Sequence, residues 1–149
     1  MDRIKNDRTI EINKGPGARQ VPGSWVRRVV AKVLECEKSS RRRVSVLLVD
    51  DRKIRRLNKE FLKRDRVTDV IAFWCRENSL VGAETGYLGD LVVSVERARV
   101  ISSRLGIPFK EELARYLIHG TLHLVGYKDE RPAERTRMLK KQEVILKRI

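Results

Sequence analysis

Apolar positions along the chain follow two rhythms. Strict alternation or a short apolar run marks Thr9-Ile10-Glu11-Ile12-Asn13, Val44–Val49, Thr68–Trp74 and Leu88–Ser94 as strands. Lys14-Gly15-Pro16-Gly17 closes the first, and the nearly unbroken Val44-Ser45-Val46-Leu47-Leu48-Val49 suits a buried strand. The glycine of Leu88-Gly89-Asp90 predicts a close backbone approach. A helical rhythm runs from Pro22 to about Lys38, where Trp25, Val29, Val30, Val33 and Leu34 make one stripe. Asp50 and Asp51 are placed to cap a second helix, whose Ile54, Leu57, Phe61 and Leu62 are expected to face inward. Residues 95–105 are helical up to Gly106, and Pro108 starts the next helix. A last helix, about 130–147, carries Met138, Val144 and Ile145 among many charges. Residues 76–86, with Asn78, Gly82 and Gly86, predict a more mobile loop. With no repeat, linker or low-complexity tract, residues 1–149 read as a single domain large enough to bury a core.

Composition narrows the class. The chain is 41% hydrophobic and 36% charged, with no run near the eighteen or so apolar residues of a membrane span. No apolar signal region follows Met1-Asp2-Arg3-Ile4-Lys5. Cys36 and Cys75 match no paired-cysteine metal spacing and read as buried thiols in a reducing compartment, so cytoplasm is the expected location. Net charge is +14, unevenly spread: +7 lies within residues 41–66, whereas residues 67–130 sum to −2. Such a strip suits a polyanion such as RNA, although ion-pair networks on a solvated surface give the same count.

The negative segment holds the most specific signal. Both histidines of the chain lie in His119-Gly120-Thr121-Leu122-His123-Leu124-Val125-Gly126-Tyr127-Lys128-Asp129. Random placement would give that four-residue separation about one time in a hundred. On a helix the two imidazoles project from one face and can grip one ion. Leu113, Leu117 and Leu124 lie on another side, so the histidines line the edge of the core, and Gly120 between the two faces admits a close neighbour. Gly126 is a helix stop whose turn brings Asp129 back as a third ligand. Two imidazoles, a carboxylate and an open position match a catalytic zinc site. The plainer alternatives are a packed histidine pair and an Asp129 that caps the helix beginning near Glu130.

The motif from His119 to Tyr127 resembles the signature of the YbeY family, bacterial endoribonucleases and ribosomal RNA maturation factors. Leu57-Asn58, Thr68-Asp69-Val70 with Phe73, Leu88-Gly89-Asp90, and Met138 with Glu143 agree in order and spacing, over residues 44 to 146. The resemblance implies an α+β fold, a small mixed β-sheet packed with helices. It also implies a catalytic metal on a central helix in a metalloprotease-like arrangement, held by His119, His123 and Asp129. Trimming of single-stranded ribosomal RNA, of the small subunit above all, and ribosome quality control follow from it. The family's third ligand is usually a histidine where this chain has Asp129, its preceding acidic residue is here Lys128, and Glu130 is a competing ligand. A basic residue of the family is replaced by Leu62, with Lys63 or Arg64 as stand-ins.

These readings converge on metal-assisted RNA cleavage, with one divalent ion, zinc by preference. Arginines and lysines of the 52–66 region, Lys63, Arg64 and Arg66 among them, would hold phosphates. The nucleophile, a water on the ion or the RNA 2′-hydroxyl, is not legible. Asp69 and Asp90 either orient ligands or bond backbone at strand ends, the second being favoured. A metzincin-type peptidase needs a glutamate where this chain has Gly120. A non-catalytic ribosomal RNA-binding factor with a structural metal is the other alternative.

Overall fold

The protein is described as a computed structural model covering residues 9–75 and 86–149. Strands β1 (Ile10–Lys14), β2 (Arg43–Val49), β3 (Val70–Trp74) and β4 (Tyr87–Ser94) form one sheet in the order β1-β2-β4-β3. β1 runs parallel to β2 and β2 to β4, whereas the edge strand β3 is antiparallel to β4. Helices α1 (Gly23–Cys36), α2 (Asp51–Leu62), α3 (Val95–Leu105), α4 (Phe109–Leu124) and α5 (Pro132–Leu146) complete the α+β architecture that the resemblance implied. Apart from Gly86, the loop expected over 76–86 lies outside the described residues, as do Met1–Lys5.

Side-chain alternation divides the sheet into two faces. Val44, Val46, Leu48, Leu91 and Val93 point into the main core with α1, α4 and α5. Val49, Ile71 and Val92 point the other way, onto Ile54 of α2. Asp50 caps α2 by accepting from the Lys53 amide at 2.8 Å. Asp51 instead accepts from Ser94 Oγ at 2.7 Å and from Arg97 at 2.8 Å, which ties the start of α2 to the β4–α3 junction.

The expectation that Phe61 and Leu62 face inward is corrected: they are 58% and 45% exposed. Ile54 is fully buried and Leu57 half-buried, but the end of α2 overhangs a part of the sheet that it does not cover. A groove of about 600 Å³ remains there, with Leu47, Val92 and Phe73 in its floor and Glu11, Asn13 and Asp90 at its polar side. Phe61 meets Phe73 edge-on at 5.6 Å between centroids. The two cysteines are likewise half-buried and not enclosed. Cys36 lies at the end of α1, where its sulfur accepts from Arg148 at 3.7 Å.

Two glycines behave as the pattern suggested. Gly89 takes φ +147, and a Cβ there would collide with the Phe73 carbonyl. A Cβ on Gly120 would come within 2.8 Å of both Leu91 and Val70. α4 can therefore lie directly on β3 and β4 while also packing against α1, α3 and α5. It is the central helix, and it carries both histidines.

Candidate metal centre

Leu113, Leu117, Ile118, Leu122 and Leu124 bury one side of α4, so His119 and His123 emerge together at its rim. The helix closes with the Gly126 amide donating to the His123 carbonyl at 3.0 Å and the Tyr127 amide to that of Leu122 at 3.0 Å. Gly126 sits at φ +111, where a side chain would be strained. The chain reverses here and returns Asp129 to the histidines.

The three donor atoms form a nearly equilateral triangle. Nε2 of His119 and Nε2 of His123 are 3.2 Å apart, and Asp129 Oδ2 lies 3.4 and 3.3 Å from them. Ligands about 2.0–2.1 Å from a tetrahedral zinc stand about 3.3 Å from one another, so the spacing fits. The far side of each ring is also fixed. His119 Nδ1 donates to Gln142 Oε1 at 2.9 Å, and His123 Nδ1 to the Tyr127 carbonyl at 3.0 Å. Both partners are acceptors, so both protons sit on Nδ1 and both Nε2 lone pairs face each other and the carboxylate. Such a cluster has the donor set and spacing to receive a cation at its centre. His119, His123 and Asp129 can hold a metal ion, and they are the one such group of three among the described residues. Their side chains are 24%, 18% and 37% exposed, which leaves one side open to solvent.

The supports of the rings reach further into the fold. Gln142 donates to Glu143 at 3.5 Å, and Glu143 accepts from Arg115 Nε at 3.0 Å, which links α5 back to α4. Tyr127 donates to the Glu37 carboxylate at 3.2 Å, while Lys141 pairs with the same carboxylate at 3.3 Å. Burial, then the Glu37 charge, push the Tyr127 hydroxyl above its ordinary pKa, which keeps it a donor. Beside His123, Trp74 Nε1 donates to the His123 carbonyl at 2.6 Å.

Other residues singled out from the sequence fall elsewhere. Asp129 does not cap α5: the cap position is Arg131, without a side-chain bond, and the Asp129 carboxylate reaches the imidazoles. Lys128 and Glu130 line a cleft of about 650 Å³ beside the Gly126 turn with Arg131, Glu134 and Arg137. Asp69 accepts from the Val70 amide at 2.8 Å, the strand-end role favoured for it, and Asp90 accepts from the Tyr87 hydroxyl. Lys63, Arg64 and Arg66 are exposed beyond α2, on the sheet face opposite α4, and do not join the metal cluster. Gln142 was missed, although a glutamine in the buried series Met138, Gln142, Ile145 was a legible signal.

Comparison with known proteins matches this frame. The family model described as "Endoribonuclease YbeY" covers residues 10–149. Relatives of that name include one from Syntrophotalea carbinolica, 35% identical over 125 residues, spanning 84% of this chain and 83% of that one. Another, from Persephonella marina, is 35% identical over 130 residues, spanning 87% and 84%. The solution structure of TM1509 from Thermotoga maritima superposes with a TM-score of 0.62 at 28% identity, over 92% of this chain and 86% of that one. The matched span starts with β1 and takes in the sheet, the central helix and all three converging donors, and by it the chain belongs to the YbeY family.

Proposed function

We propose that this chain is a cytoplasmic metal-dependent endoribonuclease that cuts single-stranded ribosomal RNA, in its maturation and in ribosome quality control. Residues 1–149 act as one catalytic domain. Membership in a family named for endoribonuclease activity supports the bond type. The observation that carries the metal is the triangle of two bare imidazole nitrogens and a carboxylate oxygen 3.2–3.4 Å apart, with both opposite ring nitrogens already bonded. Two nitrogen ligands favour zinc over magnesium or calcium, which take oxygen shells.

His119, His123 and Asp129 would hold the ion. When bound, it would supply Lewis acidity, neutralising phosphoryl charge and lowering the pKa of water to about 7. The chain's own residues do the rest. Gln142 and the Tyr127 carbonyl keep each imidazole in the tautomer whose lone pair faces inward. Arg64 and Arg66 hold phosphates of the flanking strand, reached around the edge strand β3. Of the two stand-ins for the basic residue replaced by Leu62, Arg64 is the better placed, because Lys63 Nζ folds back onto the Glu60 carbonyl at 3.1 Å.

The open side supports catalysis over a purely structural ion, which four protein ligands would close. The peptidase alternative has no base: position 120 faces Leu91 and Val70 with no room for a side chain.

The test is a His123→Ala protein, offered zinc and assayed for metal content and for cleavage of single-stranded RNA. Loss of the ion should lower cleavage on the order of a thousandfold or more. Full metal content in the variant would refute the ligand set. Unchanged cleavage would trace the activity to a contaminant. A zinc-loaded wild type that binds RNA without cutting it would establish the non-catalytic factor.

A further inference from the structure

Trp74 ends β3, the edge strand nearest the metal cluster, and the proposed reaction leaves it unused. It is 57% exposed, whereas Trp25, the chain's other tryptophan, is buried in the core. The ring is also held in place. Its N–H donates to the His123 carbonyl at 2.6 Å, and it stands at 90° to the His123 imidazole with 6.3 Å between centroids. The indole thus turns its N–H edge to the helix end, which leaves a π face open beside the metal ligands. An aromatic whose only polar atom is already satisfied offers a partner one thing, a flat apolar surface.

We propose that Trp74 is a stacking platform for an unpaired nucleobase next to the cleaved bond. This rests on the RNA-cleaving reading above and names the part of the substrate taken beside His123. Three observations select a nucleobase. The platform is continuous with the proposed active site. β3 is an edge strand, so a polynucleotide can pass around it from α4 to the opposite face. That face carries α2 and the segment that follows it, residues 51–66, with an excess of five positive charges, which complements phosphates. Bases of a duplex are stacked on one another and cannot use such a ring, so the platform selects single strands. Every base has a π face, so the contact tolerates any sequence.

The experiment uses zinc-loaded protein in a Trp25→Phe background, where Trp74 is the sole tryptophan fluorophore. The probe is a cleavage-resistant single-stranded oligonucleotide with 2′-O-methyl sugars and phosphorothioate links, compared with an abasic chain of equal charge. The base-bearing chain should quench Trp74 emission and bind about five- to a hundredfold tighter than the abasic one. Trp74→Ala, read by anisotropy of a labelled oligonucleotide, should bring the two chains to equal affinity. Trp74→Phe, which keeps a ring but loses the donor to His123, should retain most of the difference. Equal binding of both chains by the wild type would overturn the proposal while salt-dependent RNA binding stands. So would a Trp74→Phe that behaves as alanine, which would reduce Trp74 to a brace for His123. If neither chain binds the wild type, the RNA reading falls and takes the platform with it.

Discussion

The metal cluster and the basic strip formed by α2 and residues 63–66 lie on opposite faces of one sheet, and they are built by opposite rules. Each imidazole of the cluster is held at Nδ1 by a specific acceptor, and the turn beyond it is anchored through Tyr127 to Glu37. On the strip, Lys63 reaches only a carbonyl of its own helix, and the guanidinium groups of Arg64 and Arg66 make no hydrogen bond or ion pair among the described residues. Metal coordination fails when a donor moves by a few tenths of an ångström, so its supports must be specific. Attraction of a polyanion sums over many charges and survives loose side chains. Individual supports should therefore matter at the cluster and only totals at the strip.

Gln142 is where that contrast should show most strongly. It touches no ion, yet it fixes the His119 tautomer from a different helix. Gln142→Ala should weaken zinc binding about 10- to 100-fold in competition with a chromogenic chelator, as loss of an outer hydrogen-bond partner does elsewhere. Gln142→Glu, whose carboxylate still accepts from Nδ1, should keep most of the affinity. Zinc affinity unchanged in the alanine variant would mean that α4 packing alone orients the ring, and the proposed contrast would lose its basis.

What the sequence made legible follows the same division. The His119–His123 pair, the stop at Gly126 and the return of Asp129 are local, encoded within eleven residues, and all three were readable. The strands and helices were readable too, with boundaries shifted by a residue or two, because each element shows its own period. The misses depend on distant chain. Gln142 lies 23 residues from His119, and the meeting of α4 with α5 that joins them leaves no mark on spacing. Phe61 and Leu62 continue the apolar stripe of α2, but where the sheet stops being covered is a tertiary fact. Trp74 fits a strand pattern on either face, and only the structure sets it against His123.

At the strip the expected effects are smaller and uniform. Replacing Arg64 and Arg66 with glutamine should flatten the plot of log affinity against log salt by about 0.7 for each single-strand phosphate that is no longer neutralised. Different RNA sequences should weaken alike, and zinc affinity should stay constant. Selective weakening on one sequence would show that these arginines read bases. A flat salt response in the wild type would remove the electrostatic role altogether.

The smallest effect should have the opposite sign. Asp65 lies within the strip, bonded to Arg55 at 2.9 Å and near Lys59 at 3.9 Å. The hydrogen bond from Arg55, with the charges of Arg55 and Lys59, holds its carboxyl below the ordinary 3.8. The folded pKa is depressed, so the pair's small contribution to stability is present above pH 3.8 and lost as pH falls through the lower folded value. The group is solvent-exposed, so Asp65→Asn should leave the melting temperature at neutral pH almost unmoved. It should nevertheless free two cations for phosphate and tighten single-stranded RNA binding about threefold at low salt, a gain that fades as salt is added. The two carboxylates thus differ in the role expected of them: Asp129 completes the cluster, whereas Asp65 restrains the strip. Weaker RNA binding by Asp65→Asn would show that the Arg55–Asp65 pair shapes the strip as specifically as Gln142 shapes the metal cluster.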